Sequence, residues 1–106
     1  MIKEITVQEM KEMKDNNVDF QLIDVRENYE YEIANINGEL IPLATIPENV
    51  SKIKKDKPVI VHCRSGKRSA SAIEFLQANH GFTNLMNLKG GIMAWANEID
   101  NTLDVV

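Results

Sequence analysis

The chain is poor in residue types that whole classes of protein require. With a single cysteine it has no internal disulfide, and one thiol is typical of a reducing compartment such as the cytoplasm or of a protein that keeps its thiol for chemistry. No apolar run approaches the roughly 20 residues that span a membrane, and residues 1–6 lack the pattern of a signal peptide. One cysteine and two separated histidines lack metal-ligand spacing. We therefore expect a cytoplasmic protein without a membrane segment, a metal or another cofactor.

Charge is unevenly distributed along the 106 residues, although the net value is only −4. Most acidic residues precede residue 49, whereas seven of the 12 basic residues lie within residues 52–68. The chain is acidic overall and no aromatic residues are interleaved with the basic ones, which argues against nucleic-acid binding. We interpret the lysines of residues 52–57 as an exposed loop, whose field would draw small anions only weakly.

Length and patterning predict one α/β domain over residues 1–106, because apolar strand-like runs alternate with helical patterns. This alternation favours a mostly parallel sheet. The predicted strands are residues 2–5, 20–25, 39–42, 58–62 and 84–88. One helix is expected to begin at the Thr6–Glu9 capping box and the last one after Gly90-Gly91. The remaining predicted helices are residues 29–34, 47–53 and 69–79, the last ending at Gly81.

The most informative segment is residues 58–69, where an apolar β-branched run leads into the only cysteine, Cys63. A glycine in the following turn allows consecutive backbone N–H groups to face inward as an anion-binding nest, and a helix begins directly afterwards. The positive end of that helix would favour the thiolate, which is the nucleophilic form of cysteine. The segment therefore predicts a nucleophile in an anion-binding loop: Cys63, Arg64, Ser65, Gly66, Lys67, Arg68 and Ser69.

Three motifs, in the same order along the chain, resemble those of the rhodanese-like family. Residues 22–27 (Leu-Ile-Asp-Val-Arg-Glu) resemble its strand and acidic turn, and residues 63–69 resemble its active-site loop. Residues 88–95 resemble its Gly-Gly-x-x-x-Trp segment. Residues 34–39 depart from the family's Gly-His-Ile-Pro-Gly-Ala pattern, which puts the geometry of that turn in question rather than the nucleophile.

This resemblance implies a doubly wound, mainly parallel five-stranded sheet flanked by helices, and the activity of a single-domain thiosulfate sulfurtransferase. Cys63 would attack the outer sulfur of thiosulfate, release sulfite and hold the transferred sulfur as a persulfide. Cyanide or a cellular thiol would then remove it. The implied partners are a small anionic sulfur donor and a thiol acceptor such as a small redox protein. Residues 64–69 would bind the donor. The sequence does not predict which of their side chains point inward.

Two interpretations of Asp24 and Arg26 stay open at the sequence level. They form either a structural pair that braces the loop or a pair that orients an active-site cation and controls donor entry. His62 precedes the cysteine on a strand, so its side chain is expected to face away from it and to have a structural role. His80 is interpreted as a capping or surface residue, and Trp95 as part of the core.

Two other functions compete with sulfur transfer by an enzyme. A phosphatase or arsenate reductase would use a similar loop, but here four residues separate Cys63 from Arg68 where tyrosine-phosphatase loops have five. The shorter loop makes a cradle better suited to one sulfur atom than to a phosphoryl group. The second competitor is a non-enzymatic persulfide carrier or partner-binding module, which shares the same cysteine chemistry. The sequence does not separate carrier from enzyme, and it does not predict the oligomeric state.

Overall fold

Five parallel strands form one sheet in the computed structural model, which describes residues 2–106. The sheet order is β1-β5-β4-β2-β3, and every neighbouring pair is parallel. The strands are β1 (Glu4–Ile5), β2 (Gln21–Asp24), β3 (Glu39–Leu40), β4 (Val59–His62) and β5 (Leu85–Leu88). The helices are α1 (Val7–Asp15), α2 (Asn28–Ile33), α3 (Lys67–His80) and α4 (Gly91–Glu98). The prediction of a five-stranded, parallel α/β fold flanked by helices is confirmed.

Strand β4 lies in the middle of the sheet, and all four of its residues are buried. A strand covered on both faces needs apolar residues at consecutive positions, which explains the run Val59-Ile60-Val61. Its neighbour β2 pairs with it in the register Asp24 opposite His62, so both strands end at the same edge of the sheet. Residues that follow these two strands therefore meet at that edge, where sites form in open α/β sheets.

Alternate residues of β4 belong to two different hydrophobic clusters. Val59 and Val61 join a cluster that contains Ile73 and Leu76 of α3. Ile60 joins a second cluster with residues of α1 and α4, among them Met10, Ile92 and Trp95. Successive strand residues point to opposite faces, so these clusters cover the two sides of the sheet. This arrangement is the doubly wound architecture that the sequence predicts.

Local capping signals place two helix ends as predicted. The Thr6 hydroxyl accepts a hydrogen bond from the Glu9 N–H (3.1 Å), and the Glu9 carboxylate accepts one from the Thr6 N–H (2.9 Å). This reciprocal pair is a capping box that satisfies two N–H groups at the start of α1. Helix α3 ends at Gly81, whose φ of 66° is left-handed and favours glycine. The same helix begins two residues earlier than predicted.

The predicted helix over residues 47–53 is wrong. The structure has two short 3₁₀ segments instead, Leu43–Glu48 and Val50–Lys52, separated by Asn49. Pro47 has no N–H to donate, and tight contacts such as Thr45 N–H to the Pro42 carbonyl (2.8 Å) replace α-helical bonds. The third strand is also shorter than predicted, ending at Leu40 rather than residue 42.

Candidate active site around Cys63

Cys63 follows the last residue of the central strand and precedes helix α3, so its sulfur lies where backbone donors converge. The Gly66 N–H donates to Cys63 Sγ at 3.1 Å, and the Ser69 N–H donates to it at 3.4 Å. Cys63 is only 1% exposed and belongs to the first hydrophobic cluster, with Val61 and Ile73. The predicted convergence of loop amides on the thiol is present, and the sulfur is more deeply buried than in a site that is open to solvent.

The pKa of the Cys63 thiol is lowered from its ordinary value. Burial is the largest single influence and raises the pKa, because it disfavours the charged form. Hydrogen bonds that the Ser69 hydroxyl and the N–H groups of Ser69, Gly66 and Ser65 are placed to donate to the sulfur outweigh burial and lower it; the hydroxyl contributes only when its proton points at the sulfur. The loop therefore offsets the cost of holding a thiolate in a buried place.

Two glycines give the loop this shape. Gly66 caps the start of α3 with a φ of 112°, a conformation that L side chains rarely adopt. Gly91 begins α4, and a Cβ there would come within 2.5 Å of the carbonyl oxygens of Cys63 and Arg64. In its place, the Ile92 N–H donates to the Cys63 carbonyl at 2.9 Å, and the following N–H donates to the Arg64 carbonyl at 3.1 Å. Helix α4 thus holds the loop carbonyls, which leaves the loop N–H groups facing the sulfur.

The three cationic side chains of the loop have different surroundings. Arg64 is exposed, and its Nε donates to the Val106 carbonyl at 2.7 Å. Lys67 is exposed as well. Arg68 is half-buried, and its two terminal nitrogens bind the two carboxylate oxygens of Glu30 on α2 at 2.7 and 3.0 Å. The bidentate pair fixes the Arg68 guanidinium beside the cysteine loop.

Asp24 and Arg26 form a completely buried ion pair at the edge of the sheet. Asp24 accepts hydrogen bonds from Arg26 Nη2 (2.8 Å), from its Nε and from its backbone N–H (2.9 Å). Arg26 also donates to the carbonyl of Ala34, which follows α2. These contacts favour the structural interpretation of the pair, since the guanidinium is occupied by backbone and carboxylate acceptors.

His62 is fully buried and lies against the same pair. Its Nε2 is 3.6 Å from Asp24 Oδ2, and its Nδ1 is 3.4 Å from the Cys63 carbonyl oxygen. Burial lowers the pKa of His62 despite the opposing effect of Asp24, which raises it, so the ring is neutral near pH 7. This environment suits a structural role. His80 is exposed at the end of α3, and Trp95 is buried in the second cluster.

Two residues at the site were missed by the sequence analysis. Asn87 on β5 contacts both Ser69 and Gly66, and Glu30 holds Arg68. A polar residue inside the buried strand Leu85–Leu88 is a signal that could have singled out Asn87, because buried amides need partners. Glu30 gave no comparable signal, since an acidic residue in the first turn of a helix is common.

Within residues 2–106 no cluster of side chains has the composition of a metal site. In the same part of the chain, no helix has both the length and the hydrophobicity needed to cross a membrane.

The fold and the loop define an α/β protein with a cysteine at the carboxyl edge of its sheet, on which backbone N–H groups of the following loop converge. Residues 6–98 match the family described as Rhodanese-like domain. The chain therefore belongs to the rhodanese-like domain family. A crystal structure of a rhodanese-like domain protein from Staphylococcus aureus has the same fold, with 34% sequence identity, a TM-score of 0.83 and 99% of each chain covered.

Several curated relatives are named as sulfurtransferases, and two of them show the extent of the similarity. A protein named sulfurtransferase from Allochromatium vinosum is 36% identical over 97 residues, covering 91% of this chain and 90% of that protein. The probable adenylyltransferase/sulfurtransferase MoeZ of Mycobacterium tuberculosis is 36% identical over 98 residues, which are 90% of this chain. The chain spans only 25% of the MoeZ protein. These similarities support a sulfurtransferase of the rhodanese type.

Proposed function

We propose that the protein moves a sulfane sulfur from a small anionic donor such as thiosulfate to a thiophilic acceptor through a persulfide at Cys63. The observation that carries this proposal is the pair of N–H groups, from Gly66 and Ser69, that point at Cys63 Sγ. Donors in this arrangement stabilise a sulfur anion, whether it is the thiolate or the outer sulfur of a persulfide. The sulfurtransferase relatives and the family membership support the same chemistry.

In the first step the Cys63 thiolate attacks the outer sulfur of thiosulfate and forms a new sulfur–sulfur bond. The original sulfur–sulfur bond of thiosulfate breaks, and sulfite leaves with its electron pair. In the second step cyanide, or a thiolate of a small molecule or redox protein, attacks the outer persulfide sulfur. The Cys63 thiolate leaves and is ready for another cycle. Each half-reaction uses the same thiolate, which is two-step covalent catalysis.

The loop side chains supply the positive charge that an anionic donor requires. Arg68 is fixed by Glu30, which neutralises part of its charge. Lys67 and Arg64 are exposed on the outer side of the loop, where they would attract the sulfonate end of the donor. Since Cys63 is nearly closed off, the loop must open slightly for the donor's outer sulfur to reach it. A single free thiol also fits a reducing compartment, and we place the protein in the cytoplasm.

Intact-mass spectrometry tests the proposal. Fully reduced, folded protein is expected to gain one sulfur atom on incubation with thiosulfate and to lose it again when cyanide is added. The matched variant Cys63→Ser is expected to gain none, because its oxygen nucleophile is far weaker at neutral pH. Reduced and folded protein that stays at its original mass over a range of thiosulfate concentrations would contradict the proposed donor and mechanism. An aryl phosphate substrate run in parallel is expected to remain uncleaved.

A further inference from the structure

Asn87 connects the cysteine loop to strand β5 through both ends of its side-chain amide. Its Nδ2 donates to the Gly66 carbonyl at 3.0 Å, and its Oδ1 accepts from the Ser69 hydroxyl at 2.6 Å. The orientation of the amide is unambiguous, because the Gly66 carbonyl can only accept a hydrogen bond. Asn87 is 5% exposed, so water is largely excluded as a competing partner. The residue therefore determines how the Ser69 hydroxyl is oriented.

The Ser69 hydroxyl has one proton and two neighbours that can accept it. Asn87 Oδ1 lies 2.6 Å from Ser69 Oγ, whereas Cys63 Sγ lies 3.4 Å away. With its proton directed to Asn87, Ser69 Oγ presents a lone pair to the sulfur and accepts the thiol proton. Once Cys63 ionises, that same proton would stabilise the thiolate only by leaving Asn87. The side chains of Asn87 and Cys63 therefore compete for one hydrogen-bond donor.

We propose that Asn87 is a positioning residue that holds the Ser69 proton away from Cys63 and so keeps the Cys63 thiolate more basic than the loop would otherwise make it. This inference rests on the proposed function only where it explains why a more basic thiolate is useful to the protein. A thiolate of higher basicity is a better nucleophile toward sulfur once it has formed. The backbone N–H groups of Gly66 and Ser69 remain the principal donors to the anion.

Arg64 and Lys67 of the loop are exposed to solvent, and the other charged and titratable groups around the thiol come from three directions. Arg68 on α3 is close enough for the Cys63 thiolate to raise its pKa, although its bond to Glu30 on α2 has the larger effect. On the strand side lie His62 and the ion pair of Asp24 with Arg26. None of these groups is changed by substitution at Asn87 or Ser69, so their contribution to the Cys63 pKa is constant across the test.

The test is a double-mutant cycle read out as the pKa of Cys63. Asn87→Leu keeps the approximate shape of the side chain but removes both the acceptor of the Ser69 proton and the donor to the Gly66 carbonyl. The Ser69 proton then turns to the thiolate, and the Ser69→Ala background measures the loss of the Gly66 contact by itself. The thiol pKa, followed by thiolate absorbance and by the pH dependence of iodoacetamide alkylation, is expected to fall by about one unit. In the Ser69→Ala background, Asn87→Leu is expected to cause no such fall, because the donated proton is gone.

Ser69→Ala alone is an independent arm that does not require the leucine variant to fold. If Asn87 holds the proton, this substitution removes an acceptor of the thiol proton, so the Cys63 pKa is expected to fall or to rise by no more than about half a unit. A rise of more than about half a unit would mean that Ser69 already donates to the thiolate, and the proposal would be overturned. It would equally be overturned if folded Asn87→Leu left the pKa unchanged or raised it, or lowered it equally in both backgrounds.

Sulfur uptake separates this inference from the function on which it rests. Above both pKa values, the Asn87→Leu enzyme is expected to form the persulfide about threefold more slowly, since its thiolate is the weaker nucleophile. The titrations need no sulfur donor. If they give the expected shifts but no variant or wild-type protein gains sulfur, the proposed function fails and the role of Asn87 in thiol acidity stands.

Discussion

The carboxylate of Glu30 determines where the Arg68 guanidinium lies, although the two residues are 38 positions apart in the chain. Arg68 holds the pKa of Glu30 down to about 2, against burial, which raises it, and with help from the Glu27 N–H. The side chain of Glu30 is almost completely buried, whereas that of Arg68 is 35% exposed. The buried Glu30 carboxylate thus fixes the position of Arg68, whereas the Arg68 guanidinium stays partly accessible to anions.

This pKa shift predicts a loss of stability in acid. The folded-state pKa lies below the ordinary value of 4.5, so the contribution is complete above pH 4.5 and is lost as the pH falls toward about 2. Glu30→Gln is expected to remove that part of the pH dependence and to lower the free energy of unfolding at pH 7 by about 2 kcal/mol. Urea denaturation across this pH range measures both effects.

Glu32→Gln is the matched control, because Glu32 is exposed on the same helix. It is expected to change the free energy of unfolding by less than about 0.5 kcal/mol. Equal pH profiles for Glu30→Gln and wild-type protein would show that the ion pair with Arg68 does not stabilise the fold.

Pairs of this kind set a limit on what the sequence reveals at the residue scale. Cys63 was singled out because its neighbours in the chain are diagnostic, and residues 64–69 follow it as a short loop and the first turn of α3. Asn87 reaches Gly66 across 21 residues, a contact that exists only because β5 lies beside β4. A polar residue in a buried strand marks Asn87 as needing partners, but no local pattern records which partners these are, and Glu30 became visible only in three dimensions.

At the scale of elements, the cysteine loop is held between the first turns of two helices. Helix α3 directs N–H groups toward Cys63 Sγ, and α4 directs N–H groups toward the carbonyls of Cys63 and Arg64. The two sides of the same peptide segment are therefore fixed by separate elements. This arrangement gives the Gly-Gly segment a physical role, because only a residue without Cβ lets α4 approach so closely.

Gly91→Ala tests the contact between α4 and the loop. Its Cβ would meet the Cys63 and Arg64 carbonyl oxygens at 2.5 Å, at a φ of 60°. We expect the free energy of unfolding to fall by about 3 kcal/mol, combining backbone strain with displacement of the helix. The Cys63 pKa is expected to rise, since a displaced loop aims its N–H groups less well. Chemical denaturation and thiolate titration measure these two effects.

Gly81→Ala provides a control with similar strain and no crowding. Its φ is 66°, but nothing lies within 4 Å of the added Cβ. It is expected to cost about 1 kcal/mol and to leave the thiol pKa unchanged. If both substitutions had the same effect on the free energy of unfolding and on the Cys63 pKa, backbone strain alone would explain them. The proposal that α4 holds the loop carbonyls in place would then be wrong.

Element boundaries followed the sequence wherever the determining interactions are local. The Thr6–Glu9 capping box and the glycine at position 81 act over a few residues, and both mark helix ends correctly. The segment after β3 is different, because its 3₁₀ turns depend on Pro47 and on packing of Ile46 into the first cluster. Short apolar segments of this kind carry no period that separates 3₁₀ from α-helix.

At the scale of the whole molecule, the mostly parallel α/β sheet could be predicted because apolar strand-like runs, of which β4 is the clearest, alternate with helical patterns. That pattern fixes the fold class, and family membership over residues 6–98 agrees with it. The expectation that residues 1–106 form a single domain stays a prediction.

What patterning could not supply is the polar cluster at the sheet's edge, where His62, Asp24 and Arg26 are completely buried. These residues come from two neighbouring strands and the loop after β2.

The burial of His62 predicts that the stability of the whole protein depends on pH near neutrality. Burial lowers the folded-state pKa of His62, more than Asp24 raises it, whereas the unfolded chain takes up a proton near pH 6.5. The unfolded state therefore binds more protons, and stability falls as the pH drops below 6.5, by up to about 1.4 kcal/mol per pH unit from this residue.

His62→Gln is expected to remove that slope between pH 6.5 and the lower folded-state pKa. His80→Gln, at an exposed position, is expected to retain it, and urea denaturation at closely spaced pH values measures all three proteins. An unchanged slope in His62→Gln would mean that the imidazole is protonated inside the folded protein, where Asp24 at 3.6 Å would be its partner.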